Sequence, residues 1–374
     1  MSSGMQRRDF LKVLGVAGAG ATAGCASPRA EKLIPYVVAP EEIVPGAATW
    51  YRTTCRECPA GCGMSVRTRE GRAVKVEGNP LSPISHGRLC ARGQASIQGL
   101  YDPDRIPQAL TRGEAGWERL TWDEAERRLT VALGQRLGST VLLTSSGTGA
   151  LDRLLDEFAA ALGIERVRWE PYALEPVAAA HRLLYGFDGV PVHDFSNAEV
   201  VISFGADFME TWVSPVDYAH GYVQATAFRD GRRGRFISVA PHQSLTGMNA
   251  DEWLAVRPGT EHLVALALAK AIVGAGADAG AAARLLAGVD IAAAASIAGI
   301  AADRIHAIAR EFANGGRSLA VGPGIAAMHG AATATAAAVA VLNVVAGNVG
   351  RTVRVGVPEL AARGGSYREM ERLV

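Results

Sequence analysis

The chain has 374 residues, 49% hydrophobic and 20% charged, enough to bury a substantial core in two or three domains, and this composition excludes an intrinsically disordered protein. Its 38 Lys and Arg nearly balance 37 Asp and Glu, so no overall field draws it to anionic lipid, and nucleic acid is excluded as a partner. Four of the five cysteines fall in one 36-residue window while the fifth stands near the N-terminus, and the two groups need separate explanations.

Residues 1–25 read as an export signal. Arg7 and Arg8, followed by Asp9-Phe10-Leu11-Lys12, precede a small and apolar run from Val13 to Ala23 that is too short for a permanent membrane span. The paired arginines resemble a twin-arginine signal, although Gln6 stands where that signal usually has Ser or Thr. The resemblance implies export of a folded, cofactor-loaded protein. Thr22-Ala23-Gly24-Cys25 resembles a lipoprotein processing site that would leave Cys25 lipidated, and Ala21-Thr22-Ala23 also fits ordinary signal-peptidase cleavage. The expected location is the periplasmic side of the cytoplasmic membrane, with or without that anchor. Residues 26–48 carry prolines and scattered charges and read as an extended linker arm.

Residues 49–106 form the expected cluster domain. Cys55, Cys58 and Cys62 give C-x2-C-x3-C, and Cys90 follows 27 residues later. Three thiolates on a tight glycine turn wrap three corners of a 4Fe-4S cubane, and a distant one closes the fourth. Gly61 and Gly63 flank Cys62, where the backbone must bend and donate N–H bonds near the cluster sulfides. Alternation at Met64, Val66 and Thr68, then at Val74 and Val76, around Arg69-Glu70-Gly71-Arg72 predicts a hairpin that returns the chain towards Cys90. Structural zinc, two disulfides in an oxidising compartment, and unpaired buried thiols are the competing uses of the four cysteines. Zinc fits less well because Cys90 has no nearby second cysteine.

Beyond this, residues 107–374 alternate strands at Val141–Leu143, Val200–Phe204, Phe236–Val239 and Ser318–Val321 with helical stretches at 122–136, 151–162, 261–273 and 331–346. That pattern predicts α/β layers on a mostly parallel sheet. Thr121 is a candidate N-cap, with Glu124 closing a capping box. The runs Val200–Asp207 and Ser238–Pro241 end in Asp and Pro, and Ala250–Glu261 carries Pro258-Gly259 near its end, as where a dinucleotide meets the C-terminal edge of a parallel sheet, although ordinary αβ turns read the same way.

The cysteine spacing with Cys90-Ala91-Arg92-Gly93, then Leu120–Ala125, these three runs and Asn343–Gly350, resembles the dimethyl sulfoxide reductase superfamily of molybdopterin oxidoreductases. The resemblance implies a small β-rich 4Fe-4S domain followed by parallel-sheet α/β domains, with the cluster on Cys55, Cys58, Cys62 and Cys90. It also implies pterin-dinucleotide positions at Gly205, Asp207, Pro241, Arg257, Gly259 and Thr260, with Arg92 between cluster and pterin. Glu31–Tyr36, Pro45–Tyr51 and Gln98–Arg105 resemble more closely the iron-sulfur B subunit of alternative complex III, a quinol-oxidising assembly. On that resemblance the chain corresponds to the first half of such a subunit. The implied partners are a ferredoxin-type iron-sulfur half, a membrane quinol-binding subunit and cytochrome c.

Active superfamily members hold molybdenum through Cys, Ser, selenocysteine or Asp in the loop after the second α/β strand. The matching segment here, Trp169–Pro176, has none of these and offers only Tyr172 or a glutamate as a poor substitute, and no cysteine follows Cys90. Molybdopterin guanine dinucleotide is accordingly a doubtful cofactor. The expectation is an electron-transfer and scaffold subunit without its own molybdenum. The alternative is a molybdenum or tungsten bis-pterin reductase or dehydrogenase acting on a small periplasmic substrate, and a cofactor-free platform is the third.

Overall fold

The computed structural model describes residues 44, 46–171, 174–228, 231, 233–314, 317–324, 329–358 and 364–374. The export signal, Cys25, nearly all of the arm and Tyr172 of the 169–176 loop lie outside them. The chain divides into two units, Met1–Ala48 and Thr49–Val374, and the second carries the elements below except for Ala48.

Strands β1 (Ala48–Thr54), β2 (Gly63–Arg69) and β3 (Arg72–Gly78) form a three-stranded sheet in that order. The hairpin pairs Met64 with Gly78 and Arg69 with Arg72. Its two turn residues, Glu70 and Gly71, both take positive φ, as a tight two-residue hairpin turn requires. Helix α1 (Ala91–Leu100) starts directly after Cys90, and β4 (Leu110–Gly113) pairs antiparallel with β5 (Gly116–Arg119).

Helix α2 (Trp122–Arg136) is capped by Thr121, whose hydroxyl accepts the Glu124 N–H at 3.3 Å. The capping box is not closed. Arg127 and Arg128, one turn on, take the Glu124 carboxylate at 2.7 and 2.6 Å, and two guanidinium groups outbid a single backbone N–H for it. A small α/β unit follows, in which β6 (Val141–Thr144), α3 (Ala150–Leu162) and β7 (Glu165–Arg168) place two strands parallel in a sheet of their own.

Helix α4 (Glu175–Tyr185) and β8 (Pro191–His193) lead into the main sheet, made of β9 (Val200–Phe204), β10 (Arg235–Ala240), β11 (Glu252–Ala255) and β12 (Ser318–Val321). Its order is β11-β10-β9-β12, and every pairing is parallel. Helices α5 (Pro215–Thr226), α6 (Leu245–Met248), α7 (Glu261–Gly274), α8 (Ala283–Ala287), α9 (Ile291–Ala298), α10 (Ala302–Asn314) and α11 (Ala332–Val345) fill the connections and layers. Strand β13 (Val353–Pro358) returns to pair antiparallel with β8, and α12 (Tyr367–Glu371) ends the described chain. Among the described residues no single helix is long and apolar enough to cross a membrane.

Strand β9 is buried on both faces, which is why it reads as an uninterrupted Val-Val-Ile-Ser-Phe run. The two-residue period divides it between two cores. Val200, Ile202 and Phe204 face Leu268, Ile272, Ile305 and Leu342 of the helical layer. Val201 faces the other way, with Phe236 and Leu319, into a core that also holds Phe208, Trp212, Tyr218, Cys55 and Cys62. That second core joins the cysteine domain to the sheet. Buried Asn343 of α11 ties the helical layer to β12: its carbonyl accepts the Ala320 N–H at 3.0 Å and its amide donates to the Ala320 C=O at 2.8 Å.

Candidate metal centre

Cys55 follows β1 and Cys62 precedes β2, and the Cys55 N–H donates to the Cys62 C=O at 2.8 Å, closing a knuckle that carries Cys58 between them. Gly61 takes φ +63, and a Cβ there would lie 2.6 Å from Thr148 Oγ1, so both conformation and space require glycine. At Gly63 the N–H donates to Ser82 Oγ at 3.3 Å and the C=O accepts the Ser85 hydroxyl at 2.8 Å. The expectation that Gly63 donates to a cluster sulfide is therefore corrected: Ser82 takes that N–H.

The loop from Asn79 brings Cys90 back. A Cβ on Gly78 would lie 2.2 Å from both Arg88 N and Gly87 C, so the loop doubles over the end of β3 in backbone-to-backbone contact. Asn79 C=O accepts the N–H groups of Ser82 and Gly87 at 3.0 and 3.2 Å, and Ser82 Oγ accepts those of Ile84 and Ser85 at 3.3 and 3.2 Å. Cys90 is then the N-cap of α1. The first turn of α1 lies against the knuckle, since a Cβ on Gly93 would be 3.7 Å from Cys55 Sγ. Helix N-terminal partial charge favours thiolates there.

All four are free thiols, with Cys55 and Cys62 buried and Cys58 and Cys90 half-buried. The disulfide reading falls with that. Burial pushes the Cys55 and Cys58 thiols up, and the Arg92 guanidinium pulls Cys58 partly back. Cys62 is pushed up to about 12, by burial first and then by Cys58, Cys55 and Cys90. Cys58 and Cys90 pack against the buried core that holds Cys55 and Cys62, so the four lie together. Among the described residues no group of three or more His, Cys, Asp or Glu is arranged to hold a single metal ion. Four cysteine sulfurs, taken as thiolates, are the donor set of a 4Fe-4S cluster, and this set fits one.

Cys55 and Cys58 of the knuckle also line a cleft that the sequence reading passed over. Thr54, Arg56, Glu57, Pro59 and Gly61 look across to Ser145–Thr148 after β6 and to Glu170 after β7. Glu170 accepts the Ser146 N–H at 2.7 Å, and burial pushes its carboxyl up. The signal for this loop was Ser145-Ser146-Gly147-Thr148-Gly149 directly after a strand, a glycine-rich turn opening a helix. Arg92 donates to the Glu210 C=O at 3.4 Å and shares a small recess with Cys58, Pro59, Leu174, Thr211, Val213 and Pro215. Arg92 thus stands between Cys58 and the loop that follows β9.

The parallel register puts the remaining expected positions on one rim, the C-terminal edge of the main sheet. Gly205 and Asp207 follow β9, Pro241 follows β10, and Arg257, Gly259 and Thr260 follow β11. The three polar side chains among them are engaged within the protein. Asp207 accepts the Ser244 hydroxyl, and its C=O accepts the N–H groups of Glu210, Thr211 and Trp212 at 3.0, 2.9 and 3.1 Å. Arg257 donates to the Ser296 and Ile297 carbonyls at 3.2 and 2.9 Å, at the C-terminal end of α9, and Thr260 donates to the Arg257 C=O at 2.6 Å. One nitrogen of the Arg257 guanidinium is thus held by a helix end, negative by its dipole. Beside β9, a Cβ on Gly324 would lie 2.5 Å from the Gly205 carbonyl oxygen, and Trp212 Nε1–H donates to the Pro323 C=O at 3.0 Å.

The sequence profile of the molybdopterin oxidoreductase Fe4S4 domain matches residues 48–102. The molybdopterin-binding-like subunit of menaquinone reductase from Nitratidesulfovibrio vulgaris is 32% identical over 286 residues, which are 73% of this chain and 40% of that protein. The molybdopterin-containing subunit of thiosulfate reductase from Salmonella typhimurium is 26% identical over 278 residues, 72% of this chain and 35% of that protein. Among solved structures, acetylene hydratase from Pelobacter acetylenicus shares the fold with a TM-score of 0.63 at 17% identity, over 82% of this chain and 46% of that one. The chain spans less than half the length of each of these three proteins.

Proposed function

The chain carries the Fe4S4 domain of the molybdopterin oxidoreductases and is related to that family, and from this premise we propose that it is the exported electron-transfer and scaffold subunit of a quinol-linked respiratory complex, without molybdenum of its own. The observation that carries the reading is the convergence of Cys55, Cys58, Cys62 and Cys90 as free, burial-perturbed thiols beside the cation Arg92. A 4Fe-4S cluster bound there supplies one-electron transfer. The protein's part is to hold four thiolates, to keep water from Cys55 and Cys62, and to place a fixed positive charge at Cys58.

The scaffold reading is supported by the engaged rim residues and by Trp169–Pro176, which contains no Cys, Ser or Asp. The relative described as a molybdopterin-binding-like subunit of menaquinone reductase points to a quinone-linked membrane assembly. Its partners here would be a ferredoxin-type iron-sulfur half, a membrane quinol-binding subunit and cytochrome c. Arg7, Arg8 and Cys25 support export to the periplasmic face, with Cys25 as a lipid anchor. The relationship to a molybdopterin-containing thiosulfate reductase subunit favours the second reading, a molybdenum or tungsten reductase or dehydrogenase acting on a small periplasmic substrate.

Protein recovered from the periplasmic membrane fraction is expected to hold about four iron atoms per chain, without molybdenum or tungsten. Stoichiometric molybdenum or tungsten would overturn the scaffold assignment, absence of iron would remove the redox role, and recovery from the cytosol alone would overturn export. Arg92→Gln is expected to lower the cluster's reduction potential by on the order of tens of millivolts, because reduction adds negative charge that the guanidinium offsets. A redox titration that finds the potential unchanged or raised contradicts that role for Arg92.

A further inference from the structure

The loop that delivers Cys90 is held by a contact with no counterpart in the sequence pattern. His86, four residues before Cys90, takes φ +48, a left-handed backbone uncommon in a non-glycine residue. Its Nε2 lies 2.8 Å from Oδ1 of Asp217 in the first turn of α5, and its ring stacks on His220 one turn further on, with centroids 4.3 Å apart. The His86 C=O accepts Arg88 Nη1 at 3.0 Å. The neighbouring Ser85 is fully buried, and its hydroxyl donates to the C=O of Gly63, the residue after Cys62.

The four thiols are unequally secured. Cys55, Cys58 and Cys62 share one knuckle tied by its own backbone hydrogen bond, whereas Cys90 arrives on a separate, half-buried segment. Loop movement therefore opens the Cys90 corner first. We propose that Asp217 and His86 form a latch that keeps Cys90 closed over the fourth corner of the cluster, with Asp217 a positioning residue that acts through His86. The inference rests on the reading that these four cysteines hold a 4Fe-4S cluster. The latch ties the redox centre to the α/β region, since Asp217 belongs to the helix that follows β9. Without it, the left-handed His86 loses the contact that compensates its backbone, and the loop relaxes away from the knuckle.

The test uses cluster-loaded full-length protein treated with ferricyanide in the presence of a ferrous chelator. Ferricyanide takes one electron from [4Fe-4S]2+, and release of one Fe2+ leaves [3Fe-4S]+ on the three knuckle thiolates, a species with its own paramagnetic signature. Asp217→Ala and His86→Gly are each expected to release that iron about threefold to fivefold faster than the wild type, the shift expected from losing one partly exposed His–carboxylate contact. Asp217→Asn, which keeps an acceptor oxygen, is expected to return most of the way to the wild-type rate. His86→Gly separates latch from backbone, because glycine suits φ +48 and relieves strain while removing the side chain. Wild-type release rates in both variants overturn the latch, as does an unfolded Asp217→Ala protein accompanied by a wild-type rate in His86→Gly. A wild-type protein that binds no iron overturns the cluster reading itself, and the latch with it.

Discussion

Cys62→Ser is expected to empty the centre, lowering iron from about four atoms per chain to less than about one and abolishing the visible absorption of sulfur-to-iron charge transfer. Cys62 is among the most buried of the four, and its thiol is pushed up to about 12 by burial and by three neighbouring cysteines. Only a cationic centre makes a thiolate favourable there, and a serine hydroxyl is a harder donor that gives up its proton less readily. Serine nearly preserves volume, so the loss is chemical rather than steric.

A pH measurement on metal-free protein gives the same site an independent check. A folded value of about 12 against an ordinary 9.0 means that the Cys62 thiol contributes stability fully below pH 9 and loses it as pH rises towards 12. Metal-free wild type is therefore expected to weaken through that alkaline window, and Cys62→Ser is expected to weaken less. Iron retained at wild-type stoichiometry in Cys62→Ser would contradict the ligand assignment.

Asp152→Ala is expected to destabilise the β6–α3–β7 unit by about 3–5 kcal/mol, the range for removing one partner of a buried ion pair. The side chains of Asp152 and Arg166 are 8% and 4% exposed and meet at 2.6 Å. Arg166 also donates to Thr144 Oγ1 at 3.1 Å and to the Asp152 C=O at 2.7 Å, so one guanidinium joins β6, α3 and β7. Truncating Asp152 leaves that guanidinium buried beside a single remaining carboxylate, Asp156, which is half-exposed. Urea unfolding followed by far-ultraviolet dichroism reads the change, and a loss below about 1 kcal/mol would place this pair with ordinary surface ion pairs. The double variant Asp152→Ala/Arg166→Met is expected to recover part of the loss, because it removes the stranded charge.

The cleft opposite the knuckle depends on this unit. Ser146 and Glu170, which line it, sit at the ends of the strands that the Asp152–Arg166 pair clamps. Damage there is expected to loosen the wall facing Cys55 and Cys58 while leaving the main parallel sheet intact.

The amino-acid sequence determined by itself whatever depends on neighbours a few residues away. The expected strand at 200–204 coincides with β9 because a buried run is a local record of burial. The expected helix at 122–136 coincides with α2, which buries no residue and was announced by its Thr121 cap and acidic first turn. The hairpin around Glu70-Gly71 was legible from its alternation, and the cysteine spacing declared its chemistry without any fold. Three residues show where local reading ends. Glu124 was a reasonable capping-box partner until two arginines on the next turn competed for it. Arg257 had the right type for an anion site, and only the fold brings one of its nitrogens to the carbonyls of Ser296 and Ile297, nearly forty residues away. Asp217 carried no signal, and only the approach of α5 to the Cys90 loop gives it His86 as a partner.

Tertiary structure alone decided which strands share a sheet, which face of the sheet receives Cys55 and Cys62, and which partners engage the polar side chains on the rim. The physical reason is range. Periodicity and spacing report how one segment meets a buried or solvated surface, but they do not say which distant segment supplies that surface. Ion pairs and hydrogen bonds between residues a hundred positions apart form only once packing has brought them within about 3 Å.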